Sequence, residues 1–232
     1  MPRGGESHAT HVPVKLGDIA MNTTQKRRER GSMMIEFVLV SSFFLVPLII
    51  GTFTYGFAII RSVEAVQLTR DIGHMYSRGV DFSVAANQAL FAQSSSSQSI
   101  ANLGQGMNII ANPNGNVTGG SSGYGVVVLT TLTYLNSGSC TNCGGHVVVM
   151  NRIVIGNNSL FTTAYGSPAT INSNGDVPNY QSDTTARADA FTNLMTLNNG
   201  EIAYLAESYV TAPDLAVPGV FGGLATYQNA IF

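Results

Sequence analysis

The feature that most constrains this chain is a run of 24 residues without a charge, from Phe37 to Ile60. As an α-helix, such a run would be about 36 Å long. The hydrocarbon core of a bilayer is about 30 Å thick, and around 20 apolar residues are enough to cross it. The sequence therefore predicts a transmembrane helix, which we place at residues 32–60, with the lipid bilayer as its surroundings.

Basic residues flank this run on one side only. Lys26, Arg27, Arg28 and Arg30 precede it, and no comparable cluster follows it. Because segments rich in lysine and arginine stay in the cytoplasm, we expect a cytoplasmic N-terminus and an external C-terminal part. A cleaved secretory signal is disfavoured, since its apolar region spans about 7 to 15 residues and ends at a small-residue cleavage site, whereas residues 56–60 form a poor site.

A single carboxylate lies at the edge of the apolar run. Placing the charge of Glu36 in a membrane costs on the order of 3 kcal/mol unless it is paired or solvated. In one interpretation Glu36 lies at headgroup depth beside Arg30 and is simply solvated. In the other, a cut after Gly31 turns Ser32 into an N-terminal amine four residues before Glu36, where the two groups face each other along a helix. In an assembly, Glu36 would instead pair with the amine of a neighbouring subunit.

The spacing of these residues resembles a known processing signal. Gly31, then Glu36 and a long apolar helix, is similar to the class III signal of type IV pilins and pseudopilins. Residues 28–40 (Arg-Glu-Arg-Gly-Ser-Met-Met-Ile-Glu-Phe-Val-Leu-Val), followed by Pro-Leu at 47–48, most resemble the TadE-like minor pseudopilins of tight-adherence (Flp pilus) secretion systems. The resemblance extends over about residues 27–70 and is loose beyond them.

The resemblance implies a function. In that family a prepilin peptidase cuts after the glycine on the cytoplasmic side, which here is between Gly31 and Ser32. Glu36 would then form a salt bridge with an N-terminal amine. The protein would be a structural component that initiates, caps or primes a pilus in the bacterial inner membrane, with its C-terminal domain in the periplasm. Its partners would be the prepilin peptidase, the major pilin, other minor pilins and the inner-membrane assembly platform.

A rival interpretation needs no cleavage. The chain would be a single-pass anchor that displays an adhesive or ligand-binding domain, which its β-rich, Gly- and Asn-rich C-terminal part also suits. Processing of the N-terminus distinguishes the two interpretations, because only the pilin-like one requires it. Nucleic-acid binding is disfavoured, since the chain after residue 31 holds five basic and ten acidic residues and shows no basic stripe.

Residues 1–31 form a basic leader in the pilin-like interpretation. Residues 1–30 have no apolar periodicity and contain Gly4, Gly5, Pro13 and scattered polar residues, which predicts disorder. Met21 offers an alternative start that would leave a short leader ending at Gly31. The choice between Met1 and Met21 remains open at this point.

Beyond the membrane segment, apolar residues continue at helical spacing. They predict an amphipathic helical extension over residues 61–92, whose apolar stripe packs on a following sheet. Gly79 is a predicted stop within it, and residues 84–91 are predicted to form a second short helix. Residues 93–123, rich in serine, glycine and asparagine, are predicted to be a flexible linker.

The rest of the chain, residues 124–232, predicts an extracytoplasmic β-rich domain. The fold class is therefore α+β, with a long N-terminal helix and a small antiparallel sheet. The third strand also scores as a helix, and the turn at residues 198–200 favours the strand. Residues 186–197 are predicted to be a short helix, and the tail, with Pro213 and Pro218, to be irregular. The predicted strands are Tyr124–Leu135, His146–Ile155 and Glu201–Thr211.

Cys140 and Cys143 are the two cysteines of the chain. An even number in a loop between two strands favours a disulfide in an oxidising compartment. A redox-active pair would need a helix N-terminus, and a metal site would need two further ligands, of which His146 supplies at most one. No nucleophile elbow, zinc helix or phosphate loop occurs, so the sequence predicts no enzyme activity, no cofactor and no metal.

Overall fold

The computed structural model describes residues 16–91, 115–138, 144–213, 216 and 223–232, with side chains described from residue 31 onward. The chain forms two units, Met1–Phe53 and Thr54–Phe232. Single 3-10 turns lie at Ala89–Phe91, Thr184–Ala186 and Asp189–Asn193. The helices are α1 (Leu16–Ser77) and α2 (Ala85–Gln88), and the strands are β1 (Thr118–Gly120), β2 (Gly125–Leu135), β3 (His146–Asn157), β4 (Ile202–Ala212) and β5 (Leu224–Ile231).

Helix α1 begins earlier than the sequence predicted. The expected disorder is wrong for residues 16–30, which are helical and continue without a break through Gly31 and Pro47. Residues 18–30 contain neither glycine nor proline. Because adding residues to an existing helix is much easier than nucleating one, the apolar segment extends its helix backward through this basic stretch.

The predicted stop at Gly79 is confirmed. Gly79 has a φ of 87°, a left-handed conformation that glycine adopts without a steric penalty. Its N–H donates to the Tyr76 carbonyl at 3.0 Å, and the Val80 N–H donates to the Met75 carbonyl at 3.0 Å. These two bonds form a Schellman motif, which satisfies the last carbonyls of α1. The predicted helical extension over 61–92 is therefore interrupted at Gly79, and the second short helix predicted over 84–91 is confirmed as α2 followed by one 3-10 turn.

The five strands form one sheet in the order β1-β3-β2-β4-β5. β1 runs parallel to β3, and the other neighbouring pairs are antiparallel. The three predicted strands are confirmed as β2, β3 and β4, and the helical alternative for the last of them is wrong. The fold therefore combines a long apolar helix with a mostly antiparallel sheet.

Two strands were not predicted. β5 lies in the tail that the sequence predicted to be irregular, and β1 lies inside the predicted linker. β5 pairs with β4 over eight residue pairs, from Leu205 with Ile231 to Ala212 with Leu224. β1 is only three residues long and β5 lacks a clear alternation of apolar and polar residues, so pairing with a neighbouring strand decides their conformation. Residues 93–114 of the predicted linker lie outside the described residues.

One face of the sheet is covered by the part of α1 that belongs to the second unit. The predicted packing of its apolar stripe on the sheet is confirmed. The Thr69 and Ser208 hydroxyls lie 2.6 Å apart, and the Tyr76 and Tyr204 rings meet edge to face at 5.5 Å. The buried residues of this core are Ala65, Leu68, Ile72, Tyr76, Phe82, Val117, Val127, Leu129, Ile153, Ile155, Ala206 and Val210.

The opposite face is covered by the chain between β3 and β4. The helix predicted over residues 186–197 is wrong, because that stretch forms 3-10 turns instead. The Asp183 carboxylate accepts the Thr185 N–H at 2.8 Å, and the Ala188 N–H donates to the Val147 carbonyl of β3 at 2.7 Å. Because Ala188 bonds to the sheet, its N–H is not free for a helix. Phe191 is fully buried in the core that results.

Gly73 lies where Phe232 reaches the helix. A Cβ at Gly73 would lie 2.0 Å from the Phe232 Cε2 atom, and the Phe232 ring also contacts His74, with ring centroids 4.5 Å apart. The Phe232 backbone pairs with Tyr204 in both directions, at 2.9 and 3.0 Å. The glycine therefore provides the space into which this ring packs.

Replacing Gly73 with alanine is expected to destabilise the second unit by about 1–3 kcal/mol, because it overpacks this site. In a Phe232→Ala background the same change is expected to be neutral or stabilising, since alanine is about 1 kcal/mol better than glycine in a helix. Urea unfolding of the full chain in neutral detergent, followed by tyrosine near-UV circular dichroism, measures both. An equal cost in the two backgrounds would exclude Phe232 as the cause.

Candidate processing site and membrane segment

Gly31, Ser32 and Glu36 lie on one uninterrupted stretch of α1. All three are exposed, and a methyl group at Gly31 would meet no atom within 4 Å. Packing against the described residues therefore does not require a glycine there. Ser32 and Glu36 are about one helical turn apart, so they lie on the same side of α1.

The bond between Gly31 and Ser32 lies inside the helix. A peptidase that cuts there needs the helix to open locally. Glycine in a helix interior is about 1 kcal/mol less favourable than alanine, so Gly31 lowers the cost of this opening. The described geometry thus makes the helix locally easier to open at Gly31 than it would be at an alanine.

The apolar part of α1 is uncovered. Among the described residues, α1 contains one segment long and apolar enough to cross a membrane, Gly31–Ser77, and its most apolar window is 0% buried. Large apolar side chains such as Phe37 and Phe43 are more than 70% exposed. Exposed apolar surface of this extent marks a membrane or protein contact, and the length indicates a single membrane anchor.

One side of this segment carries a shallow apolar depression of about 320 Å³. Its residues recur every three or four positions, so they form one stripe along the helix. Ser41 is the polar member of the stripe, and Pro47 follows it without breaking the helix. Such a stripe is suited to packing against another helix or lipid chains. The residues are Phe37, Val40, Ser41, Phe44, Leu45 and Leu48.

The sheet contains a buried carboxylate that was not predicted from the sequence. Glu207 of β4 is 0% exposed. Its Oε1 atom accepts the Tyr227 hydroxyl at 2.8 Å, and its Oε2 atom has no hydrogen-bond partner. Burial raises the pKa of Glu207, while the Thr163 and Tyr227 hydroxyls and the charge of Arg152 oppose the shift.

Arg152 of β3 is the buried cation on the same side of the sheet, 6% exposed. Its guanidinium donates to the Gly166 carbonyl at 2.7 Å, the Tyr165 carbonyl at 2.5 Å and the Thr130 hydroxyl at 3.3 Å. Burial lowers the pKa of Arg152 to about 10, with the charge of Glu207 opposing. The side chain is therefore charged at neutral pH and fastens the covering chain to the sheet. In the sequence, the signal that could have identified Arg152 is its position as a single arginine within the largely apolar strand β3.

The cysteine loop is not part of the described structure. Cys140 and Cys143 lie outside the described residues, so the disulfide remains a prediction. His146 forms a contact of 2.7 Å between its Nδ1 atom and the Asp189 Oδ1 atom. The part of the chain that the structure describes contains no group of three or more histidine, cysteine, aspartate or glutamate residues placed to hold a metal ion.

The processing residues are thus placed by one helix, and the described structure brings no catalytic group to them. What the described arrangement provides is an exposed apolar helix long enough to cross a membrane. Comparison with protein-family models, with curated proteins and with solved structures found no match to this chain.

Proposed function

We propose that this chain is a TadE-like minor pseudopilin, processed by a prepilin peptidase after Gly31, that serves as a structural or priming component of a tight-adherence pilus. The observation that carries the proposal is the spacing of Gly31 and Glu36 at the entrance of an uncharged helix with a basic flank on one side. Each feature is common alone, and their combination at this spacing is specific.

The architecture supports the proposal. The apolar first part of α1 is exposed, whereas its later part, from Ala65 to Tyr76, is buried on a sheet. A subunit that packs into an assembly through its helix and presents a domain outside needs these two kinds of surface on one helix. The helix is continuous between them.

Glu36 has a defined role in this proposal. An unpaired carboxylate is costly at the edge of an apolar helix, and cleavage at Gly31 would create an ammonium group at Ser32 one turn away. Pairing of the two groups, within one subunit or between neighbours, offsets that cost and sets the depth of each helix. The protein would act as the substrate of a peptidase and as a partner of the major pilin, other minor pilins and the inner-membrane assembly platform.

The N-terminal sequence of the mature protein, purified from bacterial inner membranes, tests the proposal. The expected sequence is Ser-Met-Met-Ile, which begins at Ser32. A Gly31→Ala variant is expected to lose nearly all cleavage and keep the leader. Gly56→Ala is the matched control, because Gly56 also lies in the helix with nothing within 4 Å of an added methyl; it is expected to be cleaved normally.

An intact N-terminus in the unmodified protein would overturn the proposal. It would favour the uncleaved anchor with a displayed adhesive or ligand-binding domain. Equal cleavage of the Gly31→Ala and unmodified proteins at another bond would show that a different peptidase acts on the chain.

A further inference from the structure

A cavity of about 540 Å³ opens on the sheet face next to the C-terminal end of α1. Residues from α1, β2, β3, β4 and the chain between β3 and β4 line it. Its floor contains Tyr76 at the end of the helix and Asn151 of β3. All of the lining residues belong to the second unit.

The hydrogen-bond donors at the floor are already used. The Tyr76 hydroxyl donates to the Asn151 Oδ1 atom at 2.8 Å and lies 2.7 Å from the Thr131 hydroxyl. The Asn151 amide nitrogen donates to the Asn174 carbonyl at 3.0 Å and to the Asp176 Oδ1 atom at 2.9 Å. A ligand that needed donors from the floor would have to break these bonds.

The cavity still offers unused hydrogen-bond acceptors and negative charge to a ligand. Asp81 and Asp176 both line the cavity and are exposed. The Oδ1 atom of Asp81 accepts the Ser83 N–H at 2.8 Å, and the described hydrogen bonds leave the Oδ2 atom of each carboxylate available. The lining contains no lysine, arginine or histidine. Burial raises the pKa of Tyr76, and the charges of Asp176 and Asp81 add to that shift, so the negative potential reaches the floor.

The walls are aromatic and apolar. Tyr180 and Tyr204 line the cavity, and the Tyr204 ring packs against the Tyr76 ring edge to face at 5.5 Å. Aromatic faces attract cations. Met150 and Ile202 add apolar surface, and Ile202 is 48% exposed. Such walls suit a short hydrocarbon stem that carries a charged end.

We propose that this cavity binds an alkylammonium group, as carried by the lysine side chain of a partner polypeptide or by a free polyamine. An ammonium group has hydrogen-bond donors and no acceptor. It therefore suits a cavity whose carboxylate oxygens are free to accept and whose own donors are already used. The volume exceeds that of a single ammonium and accommodates the methylene stem. A bound anion would be repelled by the two carboxylates.

Methionine methyl NMR on the full chain in neutral detergent tests the proposal, with the Met150 signal assigned by a Met150→Leu variant. The probes are Nα-acetyl-lysine N-methylamide, the same compound acetylated on Nε, and spermidine. The lysine compound is expected to shift the Met150 signal saturably, and its neutral Nε-acetyl analogue is not. Binding of spermidine more than about tenfold tighter than the lysine compound would identify a free polyamine as the source; comparable or weaker binding would identify a polypeptide.

A charge-neutral variant provides the second arm. Asp81→Asn combined with Asp176→Asn keeps an oxygen acceptor for Ser83 and for Asn151, and removes both charges. It is expected to weaken binding of the lysine compound at least about tenfold. Asp71→Asn is the control, because Asp71 is an exposed acid on α1 outside the lining; it is expected to bind within about twofold of the unmodified protein.

Three results would overturn the proposal. The first is that neither the lysine compound nor spermidine shifts the Met150 signal saturably. The second is that the Nε-acetyl analogue shifts this signal as much as the lysine compound does. The third is that the double variant binds the lysine compound with unchanged affinity. Unchanged signals from the other methionines establish that the double variant is folded. None of these outcomes depends on whether the chain is cut at Gly31.

Discussion

Arg152→Met is expected to destabilise the second unit by about 2–4 kcal/mol, because a buried acceptor that loses its donor costs about 1–3 kcal/mol and this variant removes the donor from two carbonyls. The variant keeps the apolar stem and loses the guanidinium. The carbonyls of Tyr165 and Gly166 then lose their donors, and the buried Glu207 loses the cation that opposes the rise in its pKa. Urea unfolding of the full chain in neutral detergent, followed by tyrosine near-UV circular dichroism, measures the loss.

Two further variants separate charge from hydrogen bonding at this site. Arg152→Lys keeps the positive charge but cannot reproduce the planar set of donors, so an intermediate loss is expected. Arg152→Met combined with Glu207→Gln removes both charges and is expected to be more stable than Arg152→Met alone. Equal stability of the single and double variants would contradict a charge effect and attribute the loss to the two carbonyls.

Gly156→Ala is expected to cost about 3 kcal/mol or more, since it adds a backbone clash to conformational strain. Gly156 lies in β3 with a φ of 96°. A Cβ there would lie 2.4 Å from the Gly125 carbonyl oxygen of β2. Because both residues belong to paired strands, neither backbone can move away without breaking the β2–β3 ladder.

Gly200→Ala is the matched control for Gly156→Ala. Gly200 also has a positive φ, 76°, but an added Cβ meets nothing within 4 Å. It is expected to cost only the strain of a left-handed alanine, about 1–2 kcal/mol. The same urea titration compares the two variants. A loss at Gly200 as large as that at Gly156 would show that strain alone, and not the approach of β2, sets the requirement for glycine.

The sequence predicted the elements whose residues carry a strong local pattern. The uncharged run of α1 and the β-branched residues of β2 and β3 have periodicities that few other structures share. β5 has no such pattern, and it becomes a strand because β4 offers it an unpaired edge. The helix predicted over residues 186–197 does not form for a related reason, because the Ala188 N–H donates to the Val147 carbonyl of β3.

The processing site and the cavity also differ in how well the sequence predicts them. Gly31 and Glu36 are close in sequence, so their spacing alone makes the processing site recognisable. The cavity joins Tyr76, Asn151 and Tyr204, which are far apart along the chain and meet only after the sheet has formed. No local sequence pattern predicts such a site. Its position follows from the strand order and from the end of α1 at Gly79.

Thr69 is hydrogen-bonded to Ser208, which lies 139 positions later in the chain. This separation has a consequence for the order of events during protein synthesis. At a synthesis rate of about 5 to 20 residues per second, the ribosome needs roughly 7 to 28 seconds after making Thr69 before it makes Ser208. During that interval the apolar stripe of α1 around Leu68 and Ile72 exists without β4. Closure of the sheet over the helix therefore comes seconds after synthesis of the helix, and a nascent chain that stalls in this interval presents the stripe to any apolar surface nearby.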